Sequence, residues 1–285
     1  MINRIIQAIL LAVFRFLARG RRPRLQPGTI RNVLLVSTTG LGDTVISTAA
    51  FTLARQAWPE AKLFALLHQR WAGLVSADPR LNGVIEYPGK FKKMRQILRR
   101  LKTLDLDIVI LLHANDPDIV PLCWLAHSRY LVGSDRTIFN FLLDLPVSNP
   151  DMDRHISERR MDLVRAVSGP LSPTGPIIFL SEEVRNWAQS FWIAQGVHPD
   201  TCLIALNPGG SRQPKRWPDE HWVELIRRLK PWTNIRIVLF GSPAEKVRLE
   251  NLAHRSGDQT SLIICREKII EAAALLPRVA AFIGP

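Results

Sequence analysis

The sequence predicts an α/β protein of two halves, each an open parallel sheet flanked by helices, with an amphipathic helix in front. Three observations predict it. From Asn32 onward, short apolar runs alternate with amphipathic stretches, the pattern of repeated βα units. That pattern breaks at Ser168-Gly-Pro-Leu-Ser-Pro-Thr-Gly-Pro176, a cluster of the type that links domains, and then restarts. The 285 residues are 47% hydrophobic and 22% charged, which suits one large domain or two ordinary ones and excludes disorder. The expected domains are 1–26, a helix and linker; 27–168; and 169–285.

Residues 2–18 are mostly apolar, but the longest unbroken apolar run, Ala8–Phe14, is seven residues long. A membrane-spanning helix needs roughly 20. At helical spacing Arg4, Gln7, Arg15, Arg19 and Arg22 fall within roughly 120° of one another, leaving a broad apolar face opposite. This predicts a helix lying in a membrane interface with Arg19–Arg24 against anionic head groups; the alternative is an ordinary helix packed on the protein. Gly20-Arg-Arg-Pro is a poor cleavage site for a signal peptide. In the first half the apolar runs predict strands at 32–37, 62–67, 83–87, 107–112 and 129–132. Between and after them the periodicity predicts helices at 44–57, 70–77, 91–102, 116–127 and 151–168. In the second half strands are predicted at 202–206, 235–240, 261–265 and 279–283, with helices at 181–195, 218–230, 243–255 and 267–275. The helix at 91–102 places Phe91, Met94, Ile97, Leu98 and Leu101 on one face, so its cations form the other, which is either a solvated face or a second contact with lipid phosphate.

The 38 Lys and Arg against 25 Asp and Glu give a net charge of +13, and the excess is local. Residues 1–42 hold Arg4, Arg15, Arg19, Arg21, Arg22, Arg24 and Arg31 and no acid. Lys90, Lys92, Lys93, Arg95, Arg99, Arg100 and Lys102 follow one another with no acid between them. The remainder is close to neutral. No nucleic-acid reader module and no aromatic interleaving accompany these segments, so the expected partner is an anionic membrane surface and not nucleic acid. Cys123, Cys202 and Cys265 lie far apart without metal-ligand spacing, which predicts a reducing, cytoplasmic compartment and no metal site.

Ligands of open parallel sheets bind beyond the carboxyl ends of the strands, so three loops are candidates for chemistry. Ser37-Thr-Thr-Gly-Leu-Gly-Asp43 follows the first strand; its glycines, Gly40 and Gly42, allow close backbone approach beside a helix N-terminus. Asp43 is either that helix's N-cap or a carboxylate that takes a proton from an attacking hydroxyl. Asn207-Pro-Gly-Gly-Ser-Arg-Gln-Pro-Lys-Arg-Trp-Pro218 combines Gly209, Gly210, Ser211, Lys215 and Arg216 before a helix, which is phosphate-binding chemistry or a solvated surface turn. Trp217 is read as packing. In Phe240-Gly-Ser-Pro-Ala-Glu245, Glu245 is either a first-turn acid favouring the helix dipole or an acceptor for ribose hydroxyls. His113, just after a strand, either faces the cleft between the two halves or is a satisfied polar loop residue.

Taken in order, VLLVSTTGLGDTVISTAA, LIALNPGGSRQPKRWP, IVLFGSPAE and AALLPRVAAFIGP resemble glycosyltransferase family 9, the lipopolysaccharide heptosyltransferases. The resemblance covers about residues 32–285. It implies a GT-B fold of two Rossmann-like domains and an inverting, metal-independent transfer needing no cofactor. An ADP-activated heptose donor would be bound mainly by the second half and a lipid-linked core saccharide by the first. By motif, Asp43 resembles the catalytic base, with Thr39, Gly40, Gly42 and His113 on the acceptor side. Lys215 and Ser211 match donor diphosphate positions, with Gly209, Gly210 and Arg216 beside them, and Glu245 matches the ribose-binding glutamate to within about two residues. Asp43 and Lys215 fall in different halves, which implies domain closure. The family also carries a D-[ST]-G-x-x-H segment after the strand resembling VAAFIGP. The sequence ends at Pro285, so the resemblance implies an incomplete second domain. It places the enzyme on the cytoplasmic side of the bacterial inner membrane, as a peripheral protein. Two other classes stay open: a non-catalytic nucleotide-sugar-binding protein, and a Rossmann-type oxidoreductase, although GxGxxG is missing after the first strand.

Overall fold

The computed structural model of the chain describes residues 2–18, 30–113, 116–126, 129–148, 153–210, 213–257, 262–265 and 267–284. Two compact units divide it, Met1–Phe179 and Leu180–Pro285.

The first unit contains α1 (Ile2–Leu17), β1 (Asn32–Ser37), α2 (Leu41–Ala57), β2 (Lys62–His68), α3 (Gln69–Ala72), β3 (Gly83–Tyr87), α4 (Met94–Lys102), β4 (Ile108–His113), α5 (Ile119–Leu125), β5 (Tyr130–Ser134), β6 (Leu145–Val147) and α6 (Ile156–Ser168). Its six strands run parallel in the order β3-β2-β1-β4-β5-β6. The chain winds one way from β1 to β3 and the other way from β4 to β6, so β1 and β4 flank the point where strand order reverses. Both sheet faces are buried, which explains why β1 reads as the continuous run VLLV with no alternation. Leu34, Val36, Val109 and Leu111 face one core with Ile97 and Leu101 of α4; Val33, Leu35, Ile108 and Ile110 face the other with Phe51, Leu53 and Met161.

Several boundaries move for identifiable reasons. α2 begins at Leu41, three residues before expectation, with Gly40 as its N-cap, so Asp43 sits inside the first turn and is not the cap. α4 begins at Met94 and not at 91, because Phe91 and Lys93 adopt φ of 58° and 50°. Phe91 consequently leaves the helix's apolar face and is 40% exposed. α6 begins at Ile156 behind His155, whose Nδ1 accepts from Ser157 N–H; the expected start at 151 lies outside the described residues. β6, only Leu-Pro-Val, was not expected.

The Gly/Pro cluster after α6 lies along the first unit. Thr174 Oγ1 donates to Ala49 O at 3.0 Å, Ile177 N–H to Thr48 Oγ1 at 2.9 Å, and Arg80 Nη2 to Ile177 O at 3.1 Å. The division into units therefore comes at 179/180, eleven residues beyond Ser168.

The second unit contains α7 (Glu182–Ala194), β7 (Cys202–Leu206), α8 (Asp219–Leu229), β8 (Ile235–Phe240), α9 (Lys246–Ser256), β9 (Leu262–Cys265), α10 (Ile269–Leu275) and β10 (Ala281–Ile283). Its four strands are parallel in the order β10-β7-β8-β9, so strand order reverses between β7 and β10. Trp222 and Ile226 of α8 pack on one face of this sheet with Leu249 and Leu252 of α9; Trp192 of α7 and Leu275 of α10 cover the other. Pro218 is the N-cap of α8 rather than its first residue. The three cysteines are free.

Candidate functional site

In the first unit the reversal point brings together the loop after β1 and the end of β4. Thr38 N–H donates to His113 O at 3.1 Å, which ties the two chain segments. Asp43, one turn into α2, turns its carboxylate back over this junction. Its Oδ2 accepts from Thr39 Oγ1 at 2.8 Å and from Gly40 N–H at 3.2 Å. A Cβ at position 40 would stand 3.3 Å from that oxygen, a tight contact that the Asp43 side chain would have to yield to. Gly42 is exposed, and open space surrounds the position of a Cβ there.

Thr39 Oγ1 is also in short contact with His113 Nδ1. The threonine has one hydroxyl proton and gives it to Asp43, so the proton between Thr39 and His113 belongs to Nδ1. This yields a relay in which His113 donates to Thr39 and Thr39 donates to Asp43. His113 Nδ1 stands 3.5 Å from Asp43 Oδ1.

The fourth member is Arg160 of α6, which sequence inspection did not single out. It is 2% exposed. Its Nη2 meets Asp43 Oδ1 at 2.5 Å, while Nη1 donates to the Asp43 carbonyl and, at 2.9 Å, to Ser47 Oγ. Burial would raise the Asp43 carboxyl, but hydrogen bonds from Thr39 and Arg160, with the charges of His113 when protonated and of Arg160, outweigh it and hold the group below its ordinary value. Burial also depresses His113, against the pull of the Asp43 carboxylate, so the imidazole is neutral at pH 7. With His113 uncharged there, Arg160 and Thr39 carry the stabilisation of the carboxylate. The arrangement is an ionised carboxylate, about a third exposed, clamped from beneath by a buried cation.

In the second unit the reversal point is the loop after β7, beside β10; Asn207 N–H donates to Ile283 O at 2.8 Å. Gly209 is buried, and a Cβ there would stand 2.9 Å from both Asn207 Oδ1 and Glu245 Oε1. The loop after β8 thus lays Glu245 against the loop after β7. Glu245 Oε2 accepts from Ser242 N–H at 2.9 Å and from Ser242 Oγ at 2.8 Å, capping the 3₁₀ turn at Pro243–Glu245. Burial acts to raise its carboxyl, and these bonds with the charges of Arg216 and Arg248 bring it below the ordinary glutamate value. Arg216 Nε holds the Gly210 carbonyl at 2.9 Å. Arg248, also not anticipated, reaches Pro208 O at 3.0 Å and Asp219 Oδ1 at 2.6 Å, fastening this loop to α8 and α9. Lys215 is exposed at the end of a 3₁₀ turn, and Ser211 lies outside the described residues. Trp217 is 46% exposed and packs edge-on against Trp222 and His221, each at 5.3 Å. Among the described residues no three His, Cys, Asp or Glu side chains stand close enough to share a metal ion.

Two Rossmann-like units, each presenting a polar loop cluster at its reversal point, define the class by architecture: a fold of the GT-B type. The family follows from sequence. Residues 94–285 match glycosyltransferase family 9 (heptosyltransferase), and the chain belongs to that family of glycosyl-transferring enzymes. Solved structures agree in fold. A family 9 glycosyltransferase from Veillonella parvula matches with a TM-score of 0.77 at 20% identity, covering 89% of this chain and 74% of its own. E. coli ADP-heptose lps heptosyltransferase II matches at 0.73 and 19% identity, covering 89% and 78%. E. coli heptosyltransferase WaaC, solved with ADP-2-deoxy-2-fluoro heptose, matches at 0.68 and 22% identity, covering 89% and 82%. Comparison with curated proteins finds no match.

Proposed function

We propose that this enzyme moves a heptose or related sugar, with inversion, from an ADP-activated donor to a lipid-linked core saccharide at the inner face of the bacterial inner membrane. The observation that carries the reading is Asp43, held ionised at the β1–β4 reversal point by Arg160 and Thr39. An acceptor hydroxyl placed on Asp43 would lose its proton to the carboxylate as its oxygen bonds to the anomeric carbon. The bond from that carbon to the diphosphate breaks on the opposite face, and its electron pair leaves with ADP. A carboxylate below its ordinary pKa is a weak base toward a free alcohol. It becomes effective once the forming bond has made the hydroxyl acidic, while remaining ionised throughout the physiological range.

On the donor side, the amides of the loop after β7 and the cations Lys215 and Arg216 supply electrostatic stabilisation for a departing diphosphate. Glu245, seated against Gly209, offers a carboxylate oxygen to ribose hydroxyls. That E. coli WaaC was solved with ADP and with an ADP-heptose analogue supports an adenine nucleotide here. The roles of Gly209, Gly210 and Ser211 are proposed on the same basis. No helix among the described residues is long and apolar enough to cross a membrane, and the proposed association is through α1. The test is calorimetric titration with ADP, UDP and NAD. ADP should bind; binding of NAD with no binding of ADP would turn the assignment toward an oxidoreductase.

A further inference from the structure

Helix α1 carries two apolar stripes, and the fold uses one of them. Leu10, Leu11, Phe14 and Ala18 seat the helix on the first unit. Phe14 is 5% exposed, edge-on to Trp124 at 5.6 Å and to Phe139 at 6.4 Å, and the Arg15 guanidinium lies over Phe141. Ile9, Val13, Phe16 and Leu17 are instead 58%, 47%, 68% and 51% exposed. At helical spacing this second stripe centres roughly 130° round the helix from the docked one. A contiguous exposed stripe of large apolar side chains on a helix that is already anchored marks an interaction surface.

Charge identifies what covers it. The sequence has no acid before Asp43. α4 lies on the same side of the six-stranded sheet as α1, because Ile97, Leu101 and Phe14 enter one core with Leu34, Val109 and Leu131. The outward side of α4 presents Arg95, Arg99, Arg100 and Lys102, preceded by Lys92 and Lys93, all exposed. No acid lies between Glu86 and Asp105 to offset them. A second copy of the chain would set like charge against like charge across such a face. An anionic bilayer satisfies both features: the stripe enters the boundary between head groups and acyl chains, and the cations meet phosphates.

We propose that α1, fixed to the first unit by its Leu10/Leu11/Phe14 side, and α4 form one docking face for anionic phospholipid, with Ile9, Val13, Phe16 and Leu17 entering the membrane. This deepens the membrane association proposed above. It states which side of α1 meets lipid, and it makes the helix a fixed part of the acceptor-binding unit rather than a loose tether.

The full chain is sedimented with vesicles of phosphatidylethanolamine and phosphatidylglycerol, and with vesicles of phosphatidylcholine alone. Binding is expected to the anionic vesicles and to weaken with salt. Ile9→Ser/Val13→Ser should lower partitioning roughly 10- to 100-fold. Arg95→Gln/Arg99→Gln/Arg100→Gln should lower it roughly 100-fold at low salt, at roughly fivefold per cation. Melting temperatures of both variants serve as the folding control. Undiminished vesicle binding by both variants would overturn the docking face while leaving membrane association standing. No binding of the wild type to either vesicle would overturn both. A dimer in sedimentation velocity that Ile9→Ser/Val13→Ser dissolves would assign the stripe to a second copy and overturn the lipid assignment.

Discussion

Replacing Arg160 with methionine removes the cation beneath Asp43 while keeping most of the buried volume. The lost contacts are the charge-assisted bond to Asp43 Oδ1 and the donations to the Asp43 carbonyl and Ser47 Oγ. Ser47 keeps its bond to Ser37, and the Asp43 carboxylate keeps Thr39 and Gly40 N–H. Breaking a fully buried pair costs about 3–5 kcal/mol, but Asp43 reaches water on one side, so about 2–4 kcal/mol is expected at pH 7. For a unit of this size that lowers the melting temperature by roughly 5–15 °C. The sign of the pH dependence follows from Asp43, whose folded-state pKa lies below its ordinary 3.8. A depressed carboxylate contributes stability that is present above the unfolded pKa and lost as pH falls through the folded one. In Arg160→Met the depression is reduced, because burial still acts on Asp43 while Arg160's bond and charge are gone. The gap in melting temperature between wild type and variant should therefore narrow below about pH 4. Thermal unfolding of both proteins between about pH 3 and 8 measures it. A gap that is equally wide in acid, or absent at pH 7, would refute the ion pair as the holder of Asp43.

Other predictions follow from the same geometry. Asp43→Asn should reduce transfer by about 10²- to 10⁴-fold and leave the Kd for ADP within a factor of two or so; a large change in ADP affinity would place Asp43 elsewhere in the reaction. Lys215→Ala should weaken ADP binding about tenfold, measured by calorimetry, as expected for one charge-assisted contact to phosphate. Gly209→Ala should change stability little, because the atoms its Cβ would meet are the ends of the flexible Asn207 and Glu245 side chains. Displacing Glu245 should nonetheless weaken nucleotide binding, and unaltered ADP affinity would separate Glu245 from the nucleotide. Phe14→Ala should destabilise the first unit by about 3–5 kcal/mol in chemical denaturation; a near-zero effect would mean that α1 does not depend on that contact.

The strands of both sheets were legible because parallel strands buried on two faces read as unbroken apolar runs, VLLV and IVILL being the clearest. Thr39, Asp43 and His113 were each visible as residues just past strand ends. Their union required the register that sets Ser37 of β1 beside His113 of β4, which pattern alone does not carry. Arg160 left no sequence signal. It sits in Glu-Arg-Arg on a helix rich in charge, and only the packing of α6 on α2 distinguishes it from the half-buried Glu158 and Arg159 beside it. Arg248 is hidden in the same way among the charged residues of α9. The start of α4 was misplaced because Phe91 and Lys93 take left-handed conformations where a glycine would have announced the turn. In α1 the helical period was legible, but not that one apolar side of the helix packs on the first unit. The apolar residues form two stripes, and the docked one runs through Leu10, Leu11 and Phe14, nearer the Gln7 side than the middle of the broad face.

The proposed chemistry is tested most directly by following ADP-heptose and a lipopolysaccharide-core acceptor with this enzyme by NMR. Transfer with Asp43 as base predicts one ADP released per sugar moved and an anomeric configuration opposite to the donor's, with both signals lost in Asp43→Asn. Retained configuration, or undiminished turnover in Asp43→Asn, would contradict it.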